Sequence, residues 1–554
     1  MFKPVLFALI FSFTAETTSA LVVPAITSDN PRLLISTNEL AVMQDRIDNQ
    51  TEPYYSAWTN MKRSADIYLG HSASPYIGTD SATFYDRALL DGTKAMHLAL
   101  AWHGTGNSSY AQKARDFIYS WATASPTPGN WTVTTNNPSA GMHIARGITL
   151  LIQAYDLIQP SLSSSDDTTI KNWFSSLLTP INQAIQVWHT NGYFDGQLYQ
   201  NHCVAHTLAY CMIGYATGNR DAVQFALSAS SNPRDMEELL TGTILVDDDS
   251  VQLIRNPDDP DPQAGEIYDR YRHWWHTGGL QLKGLMYSQL SMTLLTMITE
   301  TAYQNGINFY DDAGANGEYL EDCFAFYSDF VRTQDSSIKG GFYTGEDSYL
   351  EAHTWYSIIY EIANKRYPHN YNVERLLGNI DRLARANDRD SHLCYPLLTH
   401  GADLTFNTYS LGEFESSADN WTLGAIVDVI YGANVLYGEA LHDNPRLYQN
   451  NITNLNINTE DYKYLTLQMK TESGTSGNLV IYWGTDENPG ISGDRCKVIP
   501  LKTVGTYQTY EIYMADETTW SGTLSDIRLD PLNGTANTGK GFWLDYIRLE
   551  PWLD

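Results

Sequence analysis

The feature that most constrains this chain is a change in hydrophobic period part-way along it. From about residue 35 to 400, apolar residues recur near i, i+3, i+4 and i+7, the spacing of an amphipathic helix. The spacing predicts helices over 40–47, 88–102, 145–158, 170–188, 203–215, 285–303, 319–331, 353–363 and 373–384. Pro, Gly, Ser and Asn separate them. Many helical hairpins with no alternating strand signal point to stacked helix pairs. Over this length they are expected to close into an α/α toroid, an incomplete barrel of helical hairpins around a central cleft. An open solenoid is the rival, but no fixed repeat supports it.

Past about residue 405 the period falls to two. The stretch Tyr464-Leu465-Thr466-Leu467-Gln468-Met469-Lys470 alternates apolar and polar, and 479–483, 507–514, 527–529 and 542–549 are also strand-like. Turns rich in Gly, Asn, Asp and Ser lie between them. An antiparallel β-sandwich is expected. The reading divides the chain into a leader at 1–20, a helical domain at 24–400 and a sandwich at 408–554, with a linker near 398–410.

The leader has one Lys, an apolar run and a small-x-small triplet, Thr18-Ser19-Ala20. That is the pattern of a secretory signal peptide cut after Ala20, so a secreted or periplasmic protein is expected. No later segment reaches about 18 uninterrupted apolar residues, and no membrane insertion is expected. The net charge of −30 argues against nucleic acid, which needs surplus Lys and Arg. Five scattered cysteines (Cys203, Cys211, Cys323, Cys394, Cys496) lack zinc-type spacing and read as buried thiols with at most one bridge. A monomer is expected.

Two short motifs carry chemistry. Asn201 and His202 open Q-N-H-C-V-A-H-T-L-A-Y-C, and Tyr287 sits within G-L-M-Y-S-Q-L-S-M. Amide, imidazole and a distant phenol form a set able to remove a proton next to a carboxylate. A uronic-acid polymer carries a carboxylate on C5 and a leaving oxygen on C4. Elimination across that bond needs donors where negative charge develops. It also needs a base whose pKa is lowered by nearby positive charge, and a proton for the leaving oxygen.

With the run D-R-Y-R, these motifs resemble polysaccharide lyase families 5 and 38, the latter including glucuronan and alginate lyases. The resemblance covers roughly 30–400. It implies an α/α-toroid lyase in which Asn201 and His202 neutralise the carboxylate and Tyr287 is general base and acid. The family 5 pattern has an Arg seven residues before the tyrosine; here that position is Leu280. The cation is then expected from Arg272 or Arg270. No catalytic cofactor is implied, and the expected partner is an acidic polysaccharide, alginate, glucuronan or a relative.

Other residues are weighed beside these. The stretch 266–276 (E-I-Y-D-R-Y-R-H-W-W-H) offers Arg270, Tyr271, His273, Trp275 and His276 as sugar-binding groups, since guanidinium forks onto carboxylate and aromatic faces stack on rings. Its bland alternative is a cation–π and salt-bridge cluster closing a loop. His206, one turn beyond His202, is expected to line the substrate site; a zinc site lacks the glutamate of H-E-x-x-H. His353, in E-D-S-Y-L-E-A-H, and Tyr54, in P-Y-Y-S-A-W, are further substrate-binding candidates, against helix capping and packing respectively. The sandwich resembles carbohydrate-binding modules, and that resemblance puts a structural calcium at Glu413 and Asp545. Trp483 and Trp520 are either sugar platforms or core. A rival reading is a glycoside hydrolase using two of Glu266, Asp269 and Glu351, with carboxyl groups about 5–5.5 or 6.5–9.5 Å apart. A second rival is a polysaccharide-binding protein with no turnover.

Overall fold

A computed structural model describes residues 21–27, 30–124, 139–190, 199–246, 262–268, 283–341, 343–346, 350, 354–368, 370–383, 387–388, 392–405, 408–414, 417–432, 435–502 and 505–551. Its first part is helical: α1 Thr37–Asp48, α2 Tyr54–Tyr68, α3 Ser81–Thr105, α4 Ser108–Ala124, α5 Ala140–Gly147, α6 Thr149–Ile158, α7 Ser164–Thr190, α8 Asn201–Thr217, α9 Arg220–Leu227, α10 Met236–Thr243, α11 Gly284–Gln304 and α12 Leu320–Thr333. Shorter helices follow at Tyr360–Arg366, Tyr371–Asn379 and Pro396–Thr399. Local chemistry sets the ends. Ser36 and Glu39 form a capping box on α1, Asp80 caps α3, and Gly218 ends α8 in the left-handed region at φ 77°.

Two helices are buried nearly all round, which places them at the centre. In α8 every residue except His202 and Thr217 is buried. In α11 the exceptions are Met286 and Tyr287 at one end and Tyr303 and Gln304 at the other.

The segment before α1 shows how the central helices are oriented. Asp156, at the C-terminal end of α6, accepts from the backbone N–H groups of Arg32 (2.7 Å) and Leu33 (2.8 Å). Asn305, just past α11, donates to the carbonyl of Arg32 (2.7 Å). Arg220, just past α8, donates through Nε to the carbonyl of Val23 (2.7 Å). His103, near the C-terminus of α3, contacts the carbonyl of Leu157 through Nε2 at 3.0 Å. One strap thus meets the C-terminal ends of α6, α8 and α11, and α3 runs alongside α6. These four helices are parallel, and their N-termini share the opposite end of the α/α toroid.

The second part is a sandwich of two antiparallel sheets. The small strands β1 (Asn387–Asp388) and β2 (Leu393–Cys394) pair before it. The sandwich strands are β3 Tyr409–Gly412, β4 Thr422–Gly424, β5 Ile426–Gly432, β6 Val435–Ala440, β7 Arg446–Asn450, β8 Tyr462–Thr471, β9 Asn478–Thr485, β10 Cys496–Pro500, β11 Gln508–Tyr513, β12 Leu524–Asn533 and β13 Gly541–Pro551. One sheet runs β10-β9-β12-β7-β4, the other β11-β8-β13-β6-β5 with β3 on β13. Leu465, Leu467 and Met469 of β8 face Leu479, Ile481 and Trp483 of β9 in one core. In β13 the buried set shifts phase from Phe542 and Leu544 to Ile547 and Leu549, because the register slips at Asp545. Arg375, whose Nε donates to Glu550 (2.6 Å), and Arg332, paired with Glu511, join the helical part to the sandwich.

The five cysteines are free thiols, four of them buried. Among the described residues no helix is long and apolar enough to cross a membrane.

Candidate active site

Asn201 and His202 form the first turn of α8, and Tyr287 lies in the first turn of α11. The parallel arrangement therefore brings all three to one end of the toroid. A short bridge between Ile244 and Ile267 ties the two turns together. Thr243 donates its hydroxyl to the carbonyl of Tyr199 (3.2 Å), beside Asn201. Tyr268 N–H donates to the carbonyl of Thr243 (2.7 Å), and Ser288 Oγ donates to the carbonyl of Ile267 (3.2 Å). Three hydrogen bonds, by way of 267–268 and Thr243, thus connect Ser288, the residue after Tyr287, with Tyr199, two residues before Asn201.

The N-terminus of α11 is held by a carboxylate. Glu346 accepts from the backbone N–H groups of Gly284 (3.0 Å) and Leu285 (2.9 Å), satisfying two donors that the helix leaves open. Glu346 is itself buried. This fixes the turn that presents Tyr287.

The polar groups around the two turns are undersatisfied. The amide oxygen of Asn201 and the side-chain nitrogen of Gln200 are buried without a hydrogen-bond partner among the described residues, as are both side-chain polar atoms of Gln289 and the hydroxyl of Ser291. Buried polar groups are ordinarily paired, and exceptions collect at working sites. The His202 ring packs edge-on against Trp188, with centroids 4.9 Å apart. It is half-buried, as is Tyr287.

His206 is buried, and both ring nitrogens lack a partner among the described residues. Burial pushes its pKa down to about 3, so the ring is neutral. It lines a small pocket with Ile185, Trp188, His189, Cys203 and Arg234, directly behind the first turn of α8.

Several expected residues lie outside the described ones: Arg270, Tyr271, Arg272, His273, Trp275, His276 and His353. Asp269, Glu351 and all of residues 247–261 do too. Tyr54 is described, and it does not join the site. It is 1 % exposed, its hydroxyl donates to Asp403 (2.8 Å) and Arg46 sits over its ring at 3.5 Å. Its helix neighbour Trp58 meets Gly104 at the C-terminal end of α3, the opposite end of the toroid from Asn201. Tyr54 is a packing residue. Glu266 is fully buried, which removes one carboxylate from the hydrolase reading.

In the sandwich, Trp483 and Trp520 are core, edge-on with centroids 5.9 Å apart. Both oxygens of Glu413 accept from Arg548, at 2.8 and 2.6 Å. Burial pushes the Asp545 carboxyl up to about 6, against the pull of Arg548 and with the push of Glu413. Arg548 thus occupies both oxygens of Glu413, one of the two expected calcium ligands. Among the described residues no group of three or more His, Cys, Asp or Glu could hold a metal.

A cluster that the sequence reading missed lies at the same end as Asn201: Tyr85 on α3, His143 and Arg146 on α5, and His392. Arg146 Nη2 donates to the Tyr85 hydroxyl (2.9 Å), Arg146 Nε to His392 Nε2 (2.9 Å), and His143 Nδ1 meets Ser81 Oγ (2.8 Å).

Residues 41–238, from α1 into α10, match the family model described as Alginate lyase. The matched span contains Asn201 and His202 and ends before Tyr287. Among solved structures, an alginate lyase from Bacteroides ovatus is 14% identical, over 68% of this chain and 100% of that one, at a TM-score of 0.48. Alginate lyase A1-III from Sphingomonas species A1 is 13% identical, over 68% and 98%, at 0.45. A family 11 carbohydrate-binding module from Clostridium thermocellum is 13% identical, over 26% and 97%, at 0.21. At these scores the likenesses carry no argument of their own, and the fold rests on the elements above. No curated protein matches the chain. The family match over residues 41–238 supports a polysaccharide lyase. Within that class, the helical domain is alginate-lyase-like.

Proposed function

We propose that the protein is an exported lyase that cleaves a 4-linked uronic-acid polymer, alginate or glucuronan, by β-elimination. The observation that carries this reading is the pattern of burial on the two central helices. Along α8 and α11, the side chains that escape burial near the shared N-terminal end are His202, Met286 and Tyr287. Two of these are the imidazole and phenol that the reaction needs.

In this mechanism Asn201 and His202, with Arg272, hold the C5 carboxylate and offset the charge that builds as C5 loses its proton. The Tyr287 oxygen, as phenolate, takes that proton. The C5–H electron pair becomes the C4–C5 double bond as the C4–O bond breaks. Tyr287 then gives the proton to the leaving oxygen, so the group ends deprotonated and no water is consumed.

The test is to incubate the mature protein with alginate, polymannuronate, polyguluronate and glucuronan. The expected result is growth of the unsaturated-uronate absorbance band on at least one polymer. New reducing ends without that band would mean hydrolysis and would overturn the proposal.

A further inference from the structure

In a chain with 64 acidic and 34 basic residues, guanidinium groups find carboxylates easily. Arg115 meets Asp166, Arg366 meets Glu300, Arg375 meets Glu550, Arg382 meets Glu361, Arg528 meets Asp530 and Arg548 meets Glu413. Arg146 meets none among the described residues. Its partners are neutral: His392 Nε2, the Tyr85 hydroxyl and the Met142 sulfur (3.8 Å). Asp80 and Asp86 act on His143 through space, and neither forms an ion pair with Arg146.

The guanidinium is nonetheless held firmly. His392 is fully buried, and burial together with the nearby Arg146 charge keeps its ring neutral. Since Nε2 accepts from Arg146, the hydrogen-bond network assigns the proton to Nδ1. Nδ1 then donates to Thr149 Oγ1 (3.2 Å), and Thr149 donates to the backbone carbonyl of Arg146 (2.8 Å). The chain of bonds closes on the residue where it began. His392 holds this position at φ 65°, a region costly for a residue with a side chain, as at other functionally constrained sites.

The cluster borders the candidate active site. Gly141 on α5 lies so close to α8 that a Cβ there would stand 3.0 Å from His206 Nε2. Arg146 is five residues further along α5, about 7–8 Å along the helix axis. His143 and Arg146 are both half-buried, so the cluster has a face toward solvent.

We propose that Arg146, oriented by His392 and flanked by Tyr85 and His143, grips the carboxylate of a uronate unit next to the one that reacts. The ligand is a polyanionic sugar chain, and for that identity the inference rests on the elimination reading. A fork locked by neutral acceptors keeps its charge for an incoming anion. His392 is a positioning residue; Arg146 is the binding group.

The test uses the full chain with Arg146→Gln and Arg146→Lys, and short oligouronates as probes. Arg146→Gln is expected to raise KM by about tenfold or more, with a smaller change in kcat, the loss of one charge-assisted fork. Its KM should also rise less steeply with salt than that of the wild type. Arg146→Lys keeps the charge and should recover the salt dependence but only part of the affinity. Calorimetry with oligouronates and their carboxyl-reduced, neutral counterparts separates this inference from the reaction itself. The wild type should prefer the acid form, and Arg146→Gln should lose that preference. If the wild type makes no unsaturated product yet shows the preference and its loss, the subsite stands and the lyase reading falls. Unchanged KM, salt slope and acid preference in a folded Arg146→Gln would overturn the inference.

Discussion

Glu300 on α11 is fully buried, and Arg366 is its closest cationic partner among the described residues. Arg366 Nε donates to it at 2.8 Å, with a second contact from Nη2. The Tyr310 hydroxyl (2.7 Å) and the Gln304 amide (2.7 Å) complete its bonds, and His400 Nε2 stands at 3.5 Å. Burial pushes the carboxyl up, but hydrogen bonds from Arg366 and His400 outweigh it and hold the group well below its ordinary 4.5. In Arg366→Met the Tyr310 and Gln304 donors remain, and a buried charge loses its guanidinium. Breaking such a pair costs about 3–5 kcal/mol, whereas a pair in water is worth about 0–1 kcal/mol. The double variant Arg366→Met/Glu300→Gln removes both charges and should recover a large part of the loss, giving a coupling energy well outside additivity. Urea unfolding followed by helical circular dichroism measures both. The pH response has a definite sign. A depressed carboxyl contributes stability above its unfolded pKa and loses it as pH falls. Without Arg366 the carboxyl rises instead, so the variant's deficit should shrink as pH falls: first above about 4.5, where folded Glu300 takes up a proton before the unfolded chain does, and then below it, where the wild type loses its own contribution. A deficit under about 1 kcal/mol at neutral pH, or one that grows on acidification, would refute the reasoning.

Three further outcomes follow. Tyr287→Phe removes the proton carrier and should lower kcat by about 10²–10⁴-fold while oligouronate binding changes little, checked by absorbance kinetics and calorimetry. Glu39 has its pKa lowered to about 2, because hydrogen bonds from Lys365 and Ser36 and the Lys365 charge outweigh the upward push of burial. It should therefore stabilise the fold above about pH 4.5 and lose that effect toward pH of about 2, and Glu39→Gln should flatten this acid limb in thermal melts. Trp483 is fully buried and donates to the Thr519 carbonyl (3.2 Å). Trp483→Ala should destabilise the sandwich by about 3–5 kcal/mol, seen in near-ultraviolet dichroism, ahead of the helical transition.

The architecture was largely legible because period is a local property. The switch near residue 405 matches the last helix at Pro396–Thr399 and the first sandwich strand at Tyr409–Gly412. The helices at Tyr54–Tyr68, Ser108–Ala124, Arg220–Leu227 and Met236–Thr243 were passed over. The 145–158 helix is two, α5 and α6, which meet at Ile148 beside Gly147, where a Cβ would stand 3.2 Å from the Tyr85 Cα. The 373–384 helix stops at Asn379. The motif residues Asn201, His202 and Tyr287 could be found because each sits in a distinctive local string. Arg146 could not, since its meaning comes from His392, 246 positions away, and from the absence of an acid that only three dimensions reveal. Tyr54 misled for the same reason: an aromatic pair on a helix does not say which end of the toroid it occupies. The capping role of Glu346 was likewise hidden, because its partners, Gly284 and Leu285, lie some sixty residues earlier.

The central claim is that the chain is cut without water. The direct measurement is mass spectrometry of the products formed from an alginate or glucuronan oligomer in heavy-oxygen water. The account predicts that product masses sum to that of the starting oligomer, with one fragment unsaturated and no heavy oxygen in either. Heavy oxygen at the newly formed reducing end would contradict it.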